Sequence, residues 1–283
     1  MKFQLRSWIR SRRALVLVVV FAFSGASAPL LAAHVAEIIA SLGDETMVVE
    51  IADPTWQSLL TAYWDNASQL GLLVTAYVAG AAVGLGSDPS LRIHYLTRTT
   101  RRGQIAVPRL LVAAMVAGVA ATVGFLIALY VTWAVTDGMQ LGAVAGAGAV
   151  HVAAVVLVTV VAGSLGLITG SPFVSTLLTA GMVYGGSLAQ ALPTVGEWSP
   201  TLLLTPGALL DGQDPGDLLR PVLVLGAVTV LCLTFATLPS TRPGLASISR
   251  PPGAPPTRQA PVTPTAGRPR PRSHQLVTTG DRG

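Results

Sequence analysis

The chain has 283 residues, 51% hydrophobic and only 11% charged, with a mean hydropathy of +0.62. A soluble domain carries about 25% charged residues, so the composition excludes an ordinary soluble fold and points to an all-α polytopic membrane protein. The balance of 18 basic to 13 acidic residues does not indicate nucleic acid, because the positive charge lies in three short blocks beside apolar runs, as bilayer topology requires.

The first block, residues 1–13, holds Lys2, Arg6, Arg10, Arg12 and Arg13, and the apolar run Ala14 to Ala33 follows. Ala26-Ser27-Ala28 matches a signal-peptide cleavage site, and Ser11-Arg12-Arg13 faintly resembles a twin-arginine signal. Pro29 directly after Ala28 disfavours cleavage and the run stays apolar to Ala33, so a retained first span is expected. The connection 34–66 has six acids and no Lys or Arg. Trp56, Tyr63 and Trp64 close it, and they read as an interfacial aromatic belt, with Pro54 to Asn66 as a short helix on the membrane surface.

Ala67 to Gly86 is the expected second span, with Ala76, Gly80 and Gly84 at a spacing that lets a neighbouring helix approach closely. The basic stretch Ser87 to Leu111 carries Arg92, Arg98, Arg101, Arg102 and Arg109. The third span is expected from about Val107 to Val135, with Pro108 in its first turn, and Asp137-Gly138 forms a turn. Leu141 to Ile168 is the fourth span and Phe173 to Leu192 the fifth, joined by Thr169-Gly170-Ser171-Pro172. Gly142/Gly146, Gly166/Gly170 and Gly181/Gly185 repeat the small-residue spacing.

Residues 193–220 form a second long connection with four acids, in which only Arg220 is basic. Its Asp211–Asp217 run lacks the ligand spacing of a calcium loop and reads as turns. Pro221 to Leu238 is the sixth span and contains Cys232, the single cysteine. From Pro239 on, ten prolines and seven arginines accompany one acid. Residues 240–283 are therefore expected to be disordered, a basic tail drawn to anionic lipid rather than a Pro-rich ligand.

Seventeen of the eighteen basic residues lie in the N-terminal block, the central stretch or the tail. Six spans place all three on one side and the acidic connections on the other. Positive charge is retained in the cytoplasm, so a multi-pass plasma-membrane protein with both termini cytoplasmic is expected.

Lys2 is the only lysine, so the chain has no P-loop, which needs Lys after its Gly-rich turn. No metal-binding or nucleophile motif occurs, and no acid lies in mid-span, where ion-coupled carriers usually place one. The chain is expected to bind no cofactor and to be no enzyme. His151 is the ionisable residue well inside a span, and so a candidate intramembrane polar site. Without a charged partner it makes a poor relay, and the favoured reading is a neutral imidazole bonded to a helix backbone or facing a cavity near the outer boundary.

In the central stretch Leu91, Ile93, Tyr95 and Leu96 are mixed among arginines, which suits a short amphipathic helix on the membrane face. Here the chain resembles the permease subunits of ABC-2 type transporters. Asp88, Leu96-Thr97-Arg98, Arg101-Arg102, Ile105 and Arg109 stand where that family has its coupling segment between spans two and three. Ser199-Pro200 and Thr205-Pro206 resemble its connection before the last span. Thr99 replaces the family's usual Pro, and Asp88-Pro89-Ser90 its Glu-led opening.

The resemblance implies a six-helix permease domain, residues 14–239, of type V exporter-like architecture, with a cytoplasmic coupling segment at 87–106. It implies a separate ABC ATPase subunit that binds ATP, and a homodimer or a pairing with a related permease subunit in the lipid bilayer. Arg92, His94, Tyr95, Arg98, Arg101 and Arg102 would be the ATPase-coupling residues. The Ala, Val, Leu and Gly of the spans suit an apolar or amphipathic cargo. The alternative is a non-transporting membrane anchor or assembly protein that recruits a soluble partner through the basic stretch or the tail.

Overall fold

The structure, a computed structural model, describes Trp8 and residues 11–42, 53–84 and 103–238. Every regular element among the described residues is helical. Helix α1 spans Arg13–Ala33, α2 Val35–Leu42, α3 Trp56–Asn66 and α4 Leu72–Val83. The long α5 and α6 span Gly103–Val135 and Leu141–Thr169, followed by α7 (Pro172–Ala189), the single turn α8 (Pro193–Gly196) and α9 (Leu219–Thr237). A π-helical turn, Ala67–Gly71, joins α3 to α4, and the 3-10 turns Pro200–Leu203, Pro206–Leu209 and Pro215–Leu218 lead into α9.

Five helical stretches among the described residues are long and apolar enough to cross a membrane: Arg13–Ala33, Trp56–Val83, Ala106–Val135, Leu141–Thr169 and Pro215–Thr237. The described residues are thus all-helical, with the character of a multi-pass membrane protein. The expected fifth span is helical too, but it stops at Ala189. Its 18 residues reach about 27 Å, short of a hydrocarbon core of about 30 Å. Ser175, Thr176, Thr179, Tyr184 and Ser187 also dilute its apolarity.

The second stretch departs from expectation in the other direction. Thr55 caps α3, accepting from the Ser58 amide while the Ser58 hydroxyl accepts from the Thr55 amide. From that cap the helix runs unbroken through the π turn to Val83. Residues 56–66 are thus the first turns of one long helix, and Tyr63 and Trp64 are fully buried. Both are expected from the sequence in an interfacial belt. Instead they fill the core with Phe21, Phe125 and Val155.

Helix α6 is the hub, lying against α4, α5, α7 and α9. Small residues set its distances. A Cβ on Gly166 would lie 2.7 Å from the Gly80 Cα, and one on Gly163 2.6 Å from Leu110. Gly80 therefore acts as the spacing implied, and α4 and α6 meet backbone to backbone. Gly170 does something else. At φ 70° it is the left-handed C-cap of α6, and Ser171 with Pro172 starts α7 at once. At Gly142, Gly146, Gly181 and Gly185 an added Cβ would meet no atom within 4 Å, so their spacing serves no contact among the described residues.

Helix α1 packs along α5, with Gly25 against Gly124 and Ala128, and Phe21 against Gly124. The two helices run parallel, since Phe21 and Gly25 climb in step with Gly124 and Ala128. Helix α4 runs the opposite way, because its last residues meet Arg109 near the start of α5. The end of α9 reaches the same level, where a Cβ on Gly103 would lie 3.5 Å from Thr237. One end of the bundle thus gathers Gly84, Gly103, Pro172 and Thr237.

Candidate functional site

The residues expected to couple to an ATPase, Arg92, His94, Tyr95, Arg98, Arg101 and Arg102, lie outside the described residues, as does the tail 240–283. The two ends that hold the basic stretch are described. Helix α4 leaves its last carbonyls without helical partners. The Arg109 guanidinium, from the second turn of α5, donates to the carbonyls of Val83 at 3.5 Å and Gly84 at 3.2 Å. A cation at a helix C-terminus also meets the negative end of its dipole. One side chain therefore ties the end of one long helix to the start of the next. Helix α5 begins at Gly103, four residues before the expected start, so Pro108 lies inside the helix rather than in its first turn.

His151 is fully buried, about 15 Å along α6 from Leu141. Its Nδ1 donates to the Leu204 carbonyl at 2.7 Å. A neutral imidazole that donates from Nδ1 carries its lone pair on Nε2. Nε2 has no hydrogen-bond partner among the described residues. The Tyr63 ring stands edge-on to the imidazole with centroids 5.7 Å apart, a favourable quadrupole arrangement. The Tyr63 hydroxyl donates to the Ala121 carbonyl at 3.3 Å. The sequence reading has this imidazole on a helix backbone or facing a cavity; its Nδ1 partner is instead a carbonyl of a distant connection.

The sequence reads part of that connection as turns, and the structure shows in addition that much of it is packed into the bundle. Ser199, Thr201, Leu203, Leu204, Pro206, Leu210 and Leu218 are all buried. The Leu204 carbonyl also accepts from the Ser68 hydroxyl, in the π turn, at 3.2 Å. The Ser199 hydroxyl donates to the Gly186 carbonyl at 2.8 Å, and Gln190 Nε2 donates to Thr201 Oγ1 at 2.6 Å. Residues 199–204 are thus pinned to α6, to α7 and to the π turn. The physical reason is the short α7. Its early end leaves α6 and the π turn uncovered beyond Ala189, and the leucines between the prolines of residues 200–210 fill that space.

No family model and no curated protein matches this chain.

The connection's charged residues stay at the surface. Arg220 pairs with Glu197 and lies over the Trp198 ring, 5.7 Å from its centroid. Glu197, Asp217, Arg220, Gln190, Gln213 and Leu202 border a cavity of about 570 Å³. A second, narrow cleft runs between the π turn with α4 and α7, bordered by Ser68, Gln69, Leu73, Ala76, Thr179 and Tyr184. Among the described residues, no three His, Cys, Asp or Glu side chains come together as metal ligands. Ser68, Leu204, Ser199, Thr201 and Gln190 carry no sequence signal as a group. Only the Ser199-Pro200 pair stands out, and for its likeness to a motif.

Proposed function

We propose that this chain is the transmembrane permease subunit of an ATP-binding cassette exporter in the plasma membrane. A separate ATPase subunit would bind ATP and grip the basic segment, and an apolar or amphipathic cargo would move across the bilayer. Two copies, or this chain and a related subunit, would form the pore.

The observation that carries this reading is how the basic segment is anchored. It links the C-terminal end of α4 to the N-terminal end of α5, two long apolar helices, and Arg109 bonds one end to the other. A partner pulling on that segment would move both helices together, and the backbone contact of Gly80 with Gly166 would carry the motion to α6. Nucleotide bound by the ATPase would bias one of two arrangements. Six crossings, with α7 and the connection after it as the outward fifth, put the basic stretch and the tail on the cytoplasmic side. The meeting of Gly84, Gly103 and Thr237 at one end of the bundle supports that parity. The absence of a P-loop lysine supports an external source of ATP energy.

The test reverses charge at Arg98 and Arg101 in the full chain. The expected result is loss of ATPase co-purification and of cargo export, with the chain still inserted in the membrane. Retention of both would refute the docking role.

A further inference from the structure

The cavity of about 570 Å³ lies where the end of α7, the turn α8 and the start of α9 converge. Its size is that of a small-molecule site, for which about 300–1,000 Å³ is usual. Local devices shape its wall. Asp214 Oδ1 accepts from the Gly216 amide at 2.8 Å and fixes the 3-10 turn that carries Asp217. The next residue, Leu218, is buried and anchors that turn. A Cβ on Gly196 would lie 2.9 Å from the Gln190 carbonyl oxygen, so α8 closes tightly on the end of α7.

The charges on this wall do not balance. Glu197 and Asp217 face it with Arg220. Arg220 pairs with Glu197 and stands over the Trp198 ring. Two carboxylates against one guanidinium leave one negative charge, and it falls on Asp217. Among the described residues the hydrogen-bond partner of Asp217 is Gln213, whose Nε2 donates to Oδ2 at 3.5 Å, a long bond. The carboxylate therefore keeps most of its accepting capacity, and the side-chain amide oxygen of Gln213 accepts as well. Leu202 and Leu218 add apolar surface.

We propose that this cavity binds an organic ammonium ion. The Asp217 carboxylate and the Gln213 amide oxygen receive the charged N–H groups, and Leu202 and Leu218 meet the carbon skeleton. Arg220 sets the valence. By holding Glu197 it leaves one charge to be matched, and its own charge repels a second positive centre, so a monoamine is preferred to a diamine. A free amine and a phosphatidylethanolamine headgroup both offer this ammonium chemistry. The site does not rest on the exporter reading.

The experiment uses the full chain in neutral maltoside micelles, without any ATPase. Radiolabelled benzylammonium is equilibrated by dialysis, with empty micelles as the blank. Saturable binding is expected, and benzyl alcohol, of like shape and no charge, does not displace the probe. Asp217→Asn weakens binding about fivefold, the lower range for a bond to a charged group because the cavity is open to water. Asp211→Asn removes an exposed acid of the same connection that lies outside the lining, and it leaves binding unchanged. Arg220→Gln acts with the opposite sign. It releases Glu197, tightens benzylammonium by a similar factor and shifts preference toward a diamine.

Phosphatidylethanolamine added to the micelles separates the two sources. Displacement of the probe assigns the site to the lipid headgroup, and persistence assigns it to a free amine, with the Asp217 dependence intact in both. Displacement by benzyl alcohol, an unchanged affinity in Asp217→Asn, or an equal loss in Asp211→Asn would overturn the proposal. The outcome of the charge-reversal test at Arg98 and Arg101 does not enter this assay, so the two readings fail separately.

Discussion

Replacing Gly25 by Ala tests the packing argument most directly. A Cβ on Gly25 would lie 2.2 Å from the Gly124 carbonyl oxygen and 3.0 Å from its carbon. Ordinary contact begins at 3.4 Å, so the two helices must part by about 1.2 Å at that point. Both atoms met are backbone, and no side chain can swing aside. Overpacking of a closed core costs about 1–3 kcal/mol, and a rigid obstacle places this case at the upper end. Alanine recovers about 1 kcal/mol of helix propensity over glycine. The net expectation is a loss of about 2 kcal/mol, read as a shift in the unfolding transition in mixed detergent micelles. The matched comparison is Gly181→Ala, inside a helix but with no atom within 4 Å. It gains the propensity term without the clash and is expected to be neutral or slightly stabilising. Equal effects of the two substitutions would refute the claim that glycines at the α1–α5 contact permit backbone approach.

Two further outcomes follow from the His151 site. His151→Ala empties a fully buried position, removes the edge-on partner of Tyr63 and leaves the Leu204 carbonyl with Ser68 alone, so a loss of about 3 kcal/mol is expected on unfolding. His151→Gln keeps an N–H donor and recovers part of that loss, and an Ala variant as stable as the parent would show that the imidazole holds nothing. Tyr63→Phe removes one hydrogen bond to the Ala121 carbonyl while keeping the ring contacts, so a loss of about 1 kcal/mol is expected in the same assay, and a loss near 3 kcal/mol would place further weight on the hydroxyl.

Four of the six expected spans are legible to within a few residues at each end, because long apolar runs announce themselves. The second begins earlier than its apolar run suggests. An aromatic with a polar tip looks alike in sequence whether it sits at an interface or in a core that satisfies the tip. Tyr63 is of the second kind, its hydroxyl bonded to a carbonyl of α5. The burial of Ser199, Thr201, Leu203 and Leu204 is invisible in the sequence for a related reason. Residues 193–220 carry prolines and acids and read as a connection between spans, with turns at Asp211–Asp217. Only the fold shows that α7 ends early enough to leave a space, and the bond from His151 to Leu204 spans 53 residues of sequence. The glycine stripes share one sequence signature but not one role. Gly80 and Gly166 meet a backbone, Gly170 ends a helix, and Gly181 and Gly185 face open space.

The partnership of α1 with α5 bears on how the chain is built. Helix α1 is made first, yet its partner begins at Gly103, about seventy residues downstream of Ala33. At a ribosomal rate of about 5–20 residues per second, several seconds pass before that partner exists. Until then the face of α1 that carries Gly25 lacks its partner, and the helix that starts at Trp56, with Gly71 against the Phe21 ring, is the earlier neighbour among the described residues. Its uninterrupted apolar length and the flanking Arg12 and Arg13 suit that waiting period. The order of synthesis thus lets α1 pair first with the helix that starts at Trp56 and leaves its glycine face to be closed by α5 afterwards.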